Sequence, residues 1–523
     1  MQMPSVGTLR LRKAVLMHHP PLTFAAAFWK RIPLLFAVMS VLGGCALTEG
    51  LFATLGPHYR PEPASVKAWQ APSPDTATLP GVVAHGGSHD ALKQWWQQFE
   101  DPVLTKLIDA AQRNSATLAQ AGARIERARA DAVAANVAAS PSLDATAGAS
   151  RSAFSFGGPA VQRTQAQVGV QSSWEIDLFG GLARQRESAR AQLDANVAAW
   201  HDARVALAAE VANAYVNFRF CELQTELARA DAASRAETAR LTGITAGAGL
   251  QAPATAALSR ASANDAAAAL TQRRALCEID IKGLVALTAT EEPALRALLA
   301  RAPGVPPRLP RPRQFAIDAV PAKVLAQRPD VAAAERDVAV ASAAIGVAEA
   351  ERYPRLSLAG NVTPTRSRLD GSPTISVTTW SIGPSLTLPL LDGGRRLANV
   401  DAALAQYSAA EAGYRTRVRN AVREVEESMV RLAGVAARVG DTRAAAAGYR
   451  ESLEAARTRQ RAGLGSLIEL EDARRTSFAA DGAVVALDYE GVAAWITLYR
   501  AVGGGWDGNL ESNVSQAAKR AAP

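Results

Sequence analysis

Three cysteines are the residues of this 523-residue chain that offer the most distinctive chemistry. Cys45 ends the run Leu42-Gly43-Gly44-Cys45, which resembles a lipobox, where small residues permit cleavage and the exposed thiol accepts a diacylglycerol. Cys221 and Cys277 each stand 28 residues from Gly249. If the chain reverses at Gly249, antiparallel helices bring these cysteines face to face, and we predict a disulfide. The alternatives are an ordinary signal with a chance cysteine, and two buried free thiols.

Other patterns that support catalysis or metal binding are absent from the sequence. His85 and His89 have a metal-like spacing, but they stand in a Gly-rich linker without an acidic or cysteine partner. The run 503–505 lacks the Lys-Ser/Thr of a phosphate-binding loop, and no serine lies in a G-x-S-x-G turn. We therefore expect a protein that is not an enzyme and holds no cofactor or metal, apart from diacylglycerol and N-palmitoyl chains on Cys45.

Charge and hydropathy of the first 44 residues indicate a leader. The net charge of the chain is +8, yet five basic residues and no acid precede Cys45, so the charge gives no evidence for nucleic-acid binding. Lys30-Arg31 followed by the short apolar run 32–42 is typical of a secretory signal, and the run is too short for a permanent membrane helix. We expect residues 1–44 to be a signal peptide and 45–90 a lipid-anchored linker.

The remaining chain contains an internal repeat. Gly180-Gly181 corresponds to Gly393-Gly394 at an offset of 213, and Gly249 corresponds to Gly463 at 214. The Pro-rich stretch 301–317 separates a first repeat, 91–300, from a second repeat, 318–502. Residues 503–523 are predicted to be a C-terminal tail.

Each repeat changes from helical to strand-like periodicity and back. Residues 92–138 have helical spacing, 142–178 and 355–390 alternate as β-hairpins, and each hairpin precedes a long helical hairpin, 183–290 or 393–500. In the first β-hairpin Val168, Val170 and Trp174 face away from acids and amides. Some 60 residues without proline follow each β-hairpin, and such a helix would span roughly 95 Å.

Four short amphipathic strands suit a membrane better as part of a barrel than as an open sheet. The edges of an open sheet leave backbone groups unpaired in hydrocarbon, so several copies must pool their strands. The interior of such a barrel is polar and its exterior apolar. The strand argument alone permits a dimer or a trimer.

Several motifs resemble those of the outer-membrane efflux proteins, the TolC-like lipoprotein channels of tripartite resistance-nodulation-division pumps. They are the runs 55–61, Trp95-Trp96, 328–331 with 353–356, and 498–506. The resemblance implies a homotrimeric twelve-stranded β-barrel in the outer membrane, continued by a periplasmic α-helical barrel. It also implies partners: a periplasmic adaptor, an inner-membrane transporter and the outer-membrane lipid.

The resemblance also assigns a periplasmic gate to the tip of the second repeat. Ile468 and Asp472 match the family's apolar and acidic constriction positions, and Glu469 and Arg461 lie beside them. The turns at the two tips are predicted at Gly249, Gly463 and Gly465, where glycine tolerates left-handed backbone angles. One of the arginines before the second turn, 457, 459 or 461, is expected to pair with an acid on a neighbouring helix.

Two alternatives remain open from the sequence. Residues 468–472 would be a plain solvated helix face if Glu471 paired with Arg475 at i,i+4 spacing. The whole chain would be a lipid-anchored periplasmic scaffold or adaptor, and not a channel, if its strands stayed out of the membrane.

Overall fold

The computed structural model describes residues 54–61, 68–71, 83–84, 95–155, 157–302, 304–312, 315–316 and 321–506. The predicted leader, the lipid attachment at Cys45 and the residues after Trp506 lie outside this set. His85 and His89 lie outside it as well.

The first repeat consists of short helices, a β-hairpin and two long antiparallel helices. A short strand and a 3-10 helix precede it, and a short helix ends it. In chain order the elements are β1 (Val83–Ala84), the 3-10 helix Trp95–Phe99, α1 (Pro102–Asn114), α2 (Ala116–Val137), β2 (Ser142–Phe154), β3 (Val161–Ile176), α3 (Gly181–Gly247), α4 (Pro253–Thr288) and α5 (Glu292–Leu299).

The second repeat follows the same order. Its elements are β4 (Phe315–Ala316), α6 (Pro321–Ala326), α7 (Pro329–Ala350), β5 (Arg355–Leu369), β6 (Ile375–Thr387), α8 (Arg395–Arg461) and α9 (Leu467–Ala501). β1 and β4 pair in parallel, so the two segments predicted as linkers meet in the fold.

The segment with helical spacing, 92–138, is helical over most of its length, but two capping residues divide it into separate helices. Asp101 is extended and its carboxylate accepts hydrogen bonds from the first amides of α1, including that of Val103 at 2.9 Å. Ser115 is also extended, and its hydroxyl accepts from the amide of Leu118. The side-chain oxygens of Asp101 and Ser115 accept hydrogen bonds from backbone amides that have no acceptor within the helix. Each of the two residues therefore marks the start of a new helix.

The four long strands form one antiparallel sheet in the order β2-β3-β5-β6. The two hairpins therefore stand side by side, joined by the pairing of β3 with β5. The strands end at Ile176 and Thr387, a few residues before the predicted ends of 178 and 390. Pro389 has no backbone N–H and cannot donate a hydrogen bond to a neighbouring strand. The pairing of β6 accordingly ends at Thr387, two residues before it.

The two long helices α3 and α8 have the same length, 67 residues. At 1.5 Å per residue each spans about 100 Å. Each begins directly after a glycine in the left-handed region, Gly180 with φ 72° and Gly394 with φ 88°. The sheet thus lies at one end of both helices and the helical turns lie at the other.

The main hydrophobic core lies midway along the long helices, built from residues 208–218 of α3 and 425–432 of α8. Trp95 stacks on Tyr499 with ring centroids 4.5 Å apart, and Trp96 and Phe99 pack beside them. This core fixes the middle of the helices and leaves both ends available for other contacts.

The predicted C-terminal tail starts too early in the sequence. The chain remains in the core through Trp506, which is 3% exposed. Gly503 has φ 98°, and a Cβ at this position would lie 2.1 Å from the carbonyl oxygen of Gln327. The close approach of the two backbones requires glycine here, and residues 503–506 are therefore part of the folded domain.

Buried Arg328 joins the start of the second repeat to its last helices. Its guanidinium donates to Asp330 and Glu424, at 2.8 Å each from Nη2, and to the carbonyl oxygen of Ala501 at 2.7 Å. The motif at 328–331 that carries the family resemblance therefore has a structural role in this fold.

Candidate pore wall and tip site

The register of the sheet sorts its side chains onto two faces. Residues directly opposite each other in neighbouring strands share a face. One row across the four strands consists of polar residues: Asp144, Gln171, Asn361 and Ser381. The adjacent row, on the opposite face, consists of Ala145, Val170, Val362 and Trp380. The predicted separation of apolar from polar side chains therefore extends across the sheet.

The apolar face is not buried within the chain. Trp380 is 72% exposed and Ile382 is 71% exposed. The outer strand β2 is exposed along its whole length, and β6 is exposed at every residue except Gly383. A sheet of a soluble sandwich would bury this face, since its exposure to water is unfavourable by about 25 cal/mol for each Å².

The sheet also has two open edges. β2 and β6 lie at the ends of the strand order, so each has one side that lacks a partner strand in the sheet. Backbone N–H and C=O groups on such an edge pair readily with another chain. The two open edges are therefore complementary to the edge strands of another chain, and the exposed apolar face lies to one side of them.

The helical turns at the opposite end are almost identical in the two repeats. Gly249 and Gly463 follow α3 and α8 with φ 73° and 74°. The next residue in each turn, Leu250 or Leu464, donates its amide to a carbonyl five residues earlier at 2.9 Å. These are Schellman motifs, in which a left-handed glycine lets the last helical carbonyls find donors.

Gly465 has a different role from the one predicted. It is not among the residues with positive φ. A Cβ at Gly465 would lie 3.3 Å from the Cβ of Arg459, so lack of space favours glycine here. Leu250 and Leu464 are 77% and 80% exposed, and both tips thus present an apolar side chain to solvent.

The predicted gate residues lie on the exposed surface of the second tip. Ile468 is 66% exposed, and Asp472 stands one helical turn further along α9. Asp472 forms an ion pair with Arg475, and Glu469 forms an ion pair with Arg459 of α8. Arg459 is thus the arginine that pairs with an acid on the neighbouring helix, while Arg461 is exposed and outside the pairs found among the described residues.

The structure adds a residue that the sequence did not single out, Arg474. Its side chain is buried at 4% exposure, and its Nη1 donates to the hydroxyl of Thr238 on α3 at 2.9 Å. The same guanidinium pairs with Glu471, so the alternative pair of Glu471 with Arg475 is not formed. Burial lowers the pKa of Arg474, and Glu471 partly opposes this effect.

A signal for Arg474 was present in the spacing of α9. The buried residues of its first turns are Leu467, Leu470, Arg474 and Ser477, which follow the three- and four-residue steps of a core-facing stripe. An arginine within such a stripe needs a buried partner, and Thr238 lies 236 positions away in the sequence. The contact joins the second helical hairpin to the first near their tips.

Cys221 and Cys277 form a disulfide in the structure. Their Cα atoms are 5.5 Å apart, and the bond connects α3 to α4. The reversal at Gly249 places the two positions opposite each other, as the equal spacing from Gly249 predicts. The hydroxyl of Thr225 lies 3.3 Å from the sulfur of Cys277, one turn closer to the tip.

Another buried arginine, Arg184, binds the backbone of residues 55 and 56, which follow the predicted anchor. Its Nε donates to the carbonyl oxygen of Leu55 at 2.9 Å and its Nη2 to that of Gly56 at 3.0 Å. Gly56 packs against Gly346. A Cβ added to Gly56 would lie 2.6 Å from the Cα of Gly346. Residues 54–56 are thereby held at the sheet end of α3, and no sequence pattern indicates this role of Arg184.

Two kinds of site are absent from the described residues. Among them, no cluster of three His, Cys, Asp or Glu side chains is arranged to hold a metal ion. In the same part of the chain, no helix combines the length and hydropathy needed to cross a membrane.

Comparison with known proteins identifies the class of this fold. It superposes on the outer-membrane channel OprN with a TM-score of 0.77 at 28% identity, covering 87% of this chain and 100% of that chain. The fold is therefore that of the TolC-like outer-membrane channels, with two repeats.

The sequence identifies the family. The chain belongs to the outer membrane efflux protein family, whose profile matches residues 107–290 and 320–504, one match for each repeat. It is 28% identical to nodulation protein T of Rhizobium leguminosarum bv. trifolii over 474 residues, 89% of this chain and 96% of that protein. It is 29% identical to outer membrane protein OprJ of Pseudomonas aeruginosa over 484 residues, 90% of this chain and 96% of OprJ. The resemblance inferred from the sequence motifs is confirmed.

Proposed function

We propose that this protein is the outer-membrane exit duct of a tripartite efflux pump, a passive gated conduit for small molecules. The observation that carries the proposal is the sheet with a polar row across all four strands on one face, exposed apolar side chains on the other face and two open edges. In lipid such edges must be paired, and copies of the chain can pair β6 of one with β2 of the next. Three copies would give twelve strands with a water-filled interior.

The strand lengths support this arrangement. β2 and β6 have 13 residues and β3 has 16. A tilted membrane strand needs about 9–11 residues to cross the hydrocarbon. The polar row from Asp144 to Ser381 would then line the duct, and the row with Trp380 would face lipid.

The helical end is the proposed closure. In a trimer, Ile468 and Asp472 from three copies would give an apolar collar beside an acidic ring, with Glu469 and Arg461 close by. The first tip has no acids at the corresponding positions, 253–257, so the charge comes from the second repeat alone. The ion pairs of Asp472 with Arg475 and of Glu469 with Arg459 would hold the acids in place.

Single-channel recording in planar bilayers tests this proposal. We expect Asp472→Asn to lower cation selectivity, because it removes three carboxylates from the ring, and Ile468→Ser to raise the closed-state current, because it wets the collar. Asp265→Asn is the matched control, since Asp265 is an exposed acid on α4 away from the tip turn. Unchanged current and selectivity in both tip variants would remove these residues from the gate. A wild-type protein that stays monomeric and conducts no current favours the scaffold function instead.

The proposed partners follow from the two ends of the molecule. The exposed Leu250 and Leu464 at the tips offer apolar contacts to a periplasmic adaptor, which would connect the duct to an inner-membrane resistance-nodulation-division transporter. That transporter would supply the energy, and the duct itself would select weakly among small molecules.

The proposed lipid anchor agrees with the position of the N-terminal segment. Arg184 holds Leu55 next to the sheet end of α3. Cys45 precedes Thr54 by nine residues, which reach at most about 30 Å when extended. Diacylglycerol and N-palmitoyl chains on Cys45 would therefore enter the periplasmic leaflet beside the barrel. Incorporation of labelled palmitate should be lost in Cys45→Ala, and unchanged labelling would show that Cys45 is not the acylated residue.

A further inference from the structure

Three arginines lie on the apolar face of the sheet, near its hairpin turns. Arg151 of β2 is opposite Thr164 of β3, and Thr164 is opposite Arg368 of β5. Arg366 is two residues nearer the helices on β5, opposite Ala166. The pairing places these three side chains on the same face as Val170 and Trp380 and opposite to the polar row.

The three arginines lie directly beyond the apolar side chains of this face, on the side of the hairpin turns. On this face, β5 carries Leu356, Leu358, Val362 and Pro364, and Arg366 comes next. From Leu356 to Pro364 the strand rises about 27 Å, or about 20 Å along the normal of the membrane after a tilt of ~40°. The lipid-facing apolar band of a membrane barrel is about 25 Å tall. In the proposed barrel the arginines would therefore stand at the headgroups of the outer leaflet.

No ion pair within the described part of the chain neutralises the charge of these arginines. Arg366 and Arg368 are exposed and form no ion pair with the described residues. Arg151 donates to the amide oxygen of Gln162, at 3.0 Å from its Nε. The nearest acid along β5 is Asp370, whose backbone amide donates to the carbonyl oxygen of Gln162. The three cations thus exceed the one acid on this part of the surface.

We propose that Arg151, Arg366 and Arg368 form a binding site for the phosphate groups of the glycolipid in the outer leaflet, the phosphorylated lipid A headgroup. This inference rests on the proposed function, since it needs the sheet to lie in the outer membrane. The guanidinium group matches phosphate geometry with two parallel hydrogen bonds, and a basic patch beside an apolar surface is complementary to an anionic lipid. In a trimer the site occurs three times around the barrel.

Arg163 provides a matched control at the same height. It lies opposite Ser152 and Leu369, on the polar face, and its Nε donates to the hydroxyl of Ser367 at 3.2 Å. Arg163→Gln removes the same charge near the same turns, but from the side that would face the duct.

The test measures binding of lipid A to the full-length trimer in phosphatidylcholine nanodiscs, by native mass spectrometry. The probes are bisphosphorylated lipid A and its dephosphorylated form. Each basic side chain near an anionic lipid surface contributes about fivefold in affinity, so we expect Arg368→Gln to weaken binding about fivefold and the triple glutamine variant ~100-fold. Arg163→Gln should bind as the wild type does, and the dephosphorylated lipid should not distinguish the variants.

The outcomes separate this inference from the proposed function. A wild type that inserts as an oligomer but does not prefer the phosphorylated lipid overturns the binding site alone. Equal loss in Arg163→Gln and Arg368→Gln overturns it too, because net charge and not the lipid-facing side would then govern binding. A wild type that does not insert as an oligomer overturns the channel and the binding site together. The single variant keeps the test decisive if the triple variant does not assemble.

Discussion

The helical hairpin α3–α4 and the helical hairpin α8–α9 occupy equivalent places in the two repeats, but different interactions hold them together. The first is closed by the disulfide Cys221–Cys277 and by a hydrogen bond from Asn217 to Asp280 at 2.7 Å. The second is joined by four ion pairs, each from an arginine of α8 to an acid of α9: Arg438–Glu490, Arg443–Asp488, Arg450–Asp481 and Arg459–Glu469.

The difference indicates which hairpin separates more readily. A disulfide is covalent and does not respond to salt, whereas the four arginines are more than half exposed and water screens their ion pairs. The proposed gate residues Ile468 and Asp472 are in the second hairpin. We therefore expect the second hairpin to move when the tip opens, while the first hairpin acts as the fixed part. Arg474 connects the two through Thr238.

The largest expected effect is that of removing the disulfide. The bond closes a loop of 56 residues, and the loss of this constraint lowers the free energy of unfolding by about 4 kcal/mol. We expect Cys221→Ala/Cys277→Ala to increase hydrogen exchange in α3 and α4 more than in α8 and α9. Reductant should reproduce the effect in the wild type and leave the double variant unchanged. Equal exchange in both hairpins would contradict the comparison.

Replacement of Arg474 should have the next largest effect. Arg474→Met leaves the mostly buried carboxylate of Glu471 without its arginine and breaks the hydrogen bond to Thr238, which costs about 3 kcal/mol of local stability. Hydrogen exchange of residues 467–477 measures this loss. Arg475→Met is the control, because the exposed pair of Arg475 with Asp472 contributes less than about 1 kcal/mol. Equal exchange in the two variants would show that Arg474 does not connect the hairpins.

Single ion pairs of the second hairpin should have the smallest effect. In a double-mutant cycle of Arg450→Ala and Asp481→Ala, we expect a coupling free energy below about 1 kcal/mol that falls further with added salt. Protection of α8 and α9 from hydrogen exchange, at low and high ionic strength, provides the measurement. A salt-independent coupling above about 2 kcal/mol would mean that the second hairpin is as firmly closed as the first.

Much of the fold could be predicted because it depends on local spacing. Alternation of apolar and polar residues indicated the β-hairpins, and the absence of proline indicated the long helices. The break at Ser115 was missed, since one polar residue does not interrupt helical periodicity and its capping role depends on extended backbone. The start of the tail was misplaced, because burial of Gly503 depends on the distant residue Gln327.

In the candidate tip site too, the sequence predicted the exposed residues but not their partners. The exposed positions Ile468, Glu469 and Asp472 were identified from the family resemblance, and their arrangement on α9 follows from helical spacing. Their partners were not predictable in the same way. Glu471 has arginines at both i+3 and i+4, and only the burial of Arg474 against α3 decides between them.

The sequence by itself determined the two repeats, the two faces of each β-hairpin and the turns at Gly249 and Gly463, because the side-chain periods of helix and strand are fixed by backbone geometry. Tertiary structure alone decided that β3 pairs with β5, that Arg474 meets Thr238 and that Arg184 holds Leu55. These contacts join residues more than 100 positions apart, and their partners are selected by packing and by the need of buried polar groups for hydrogen bonds.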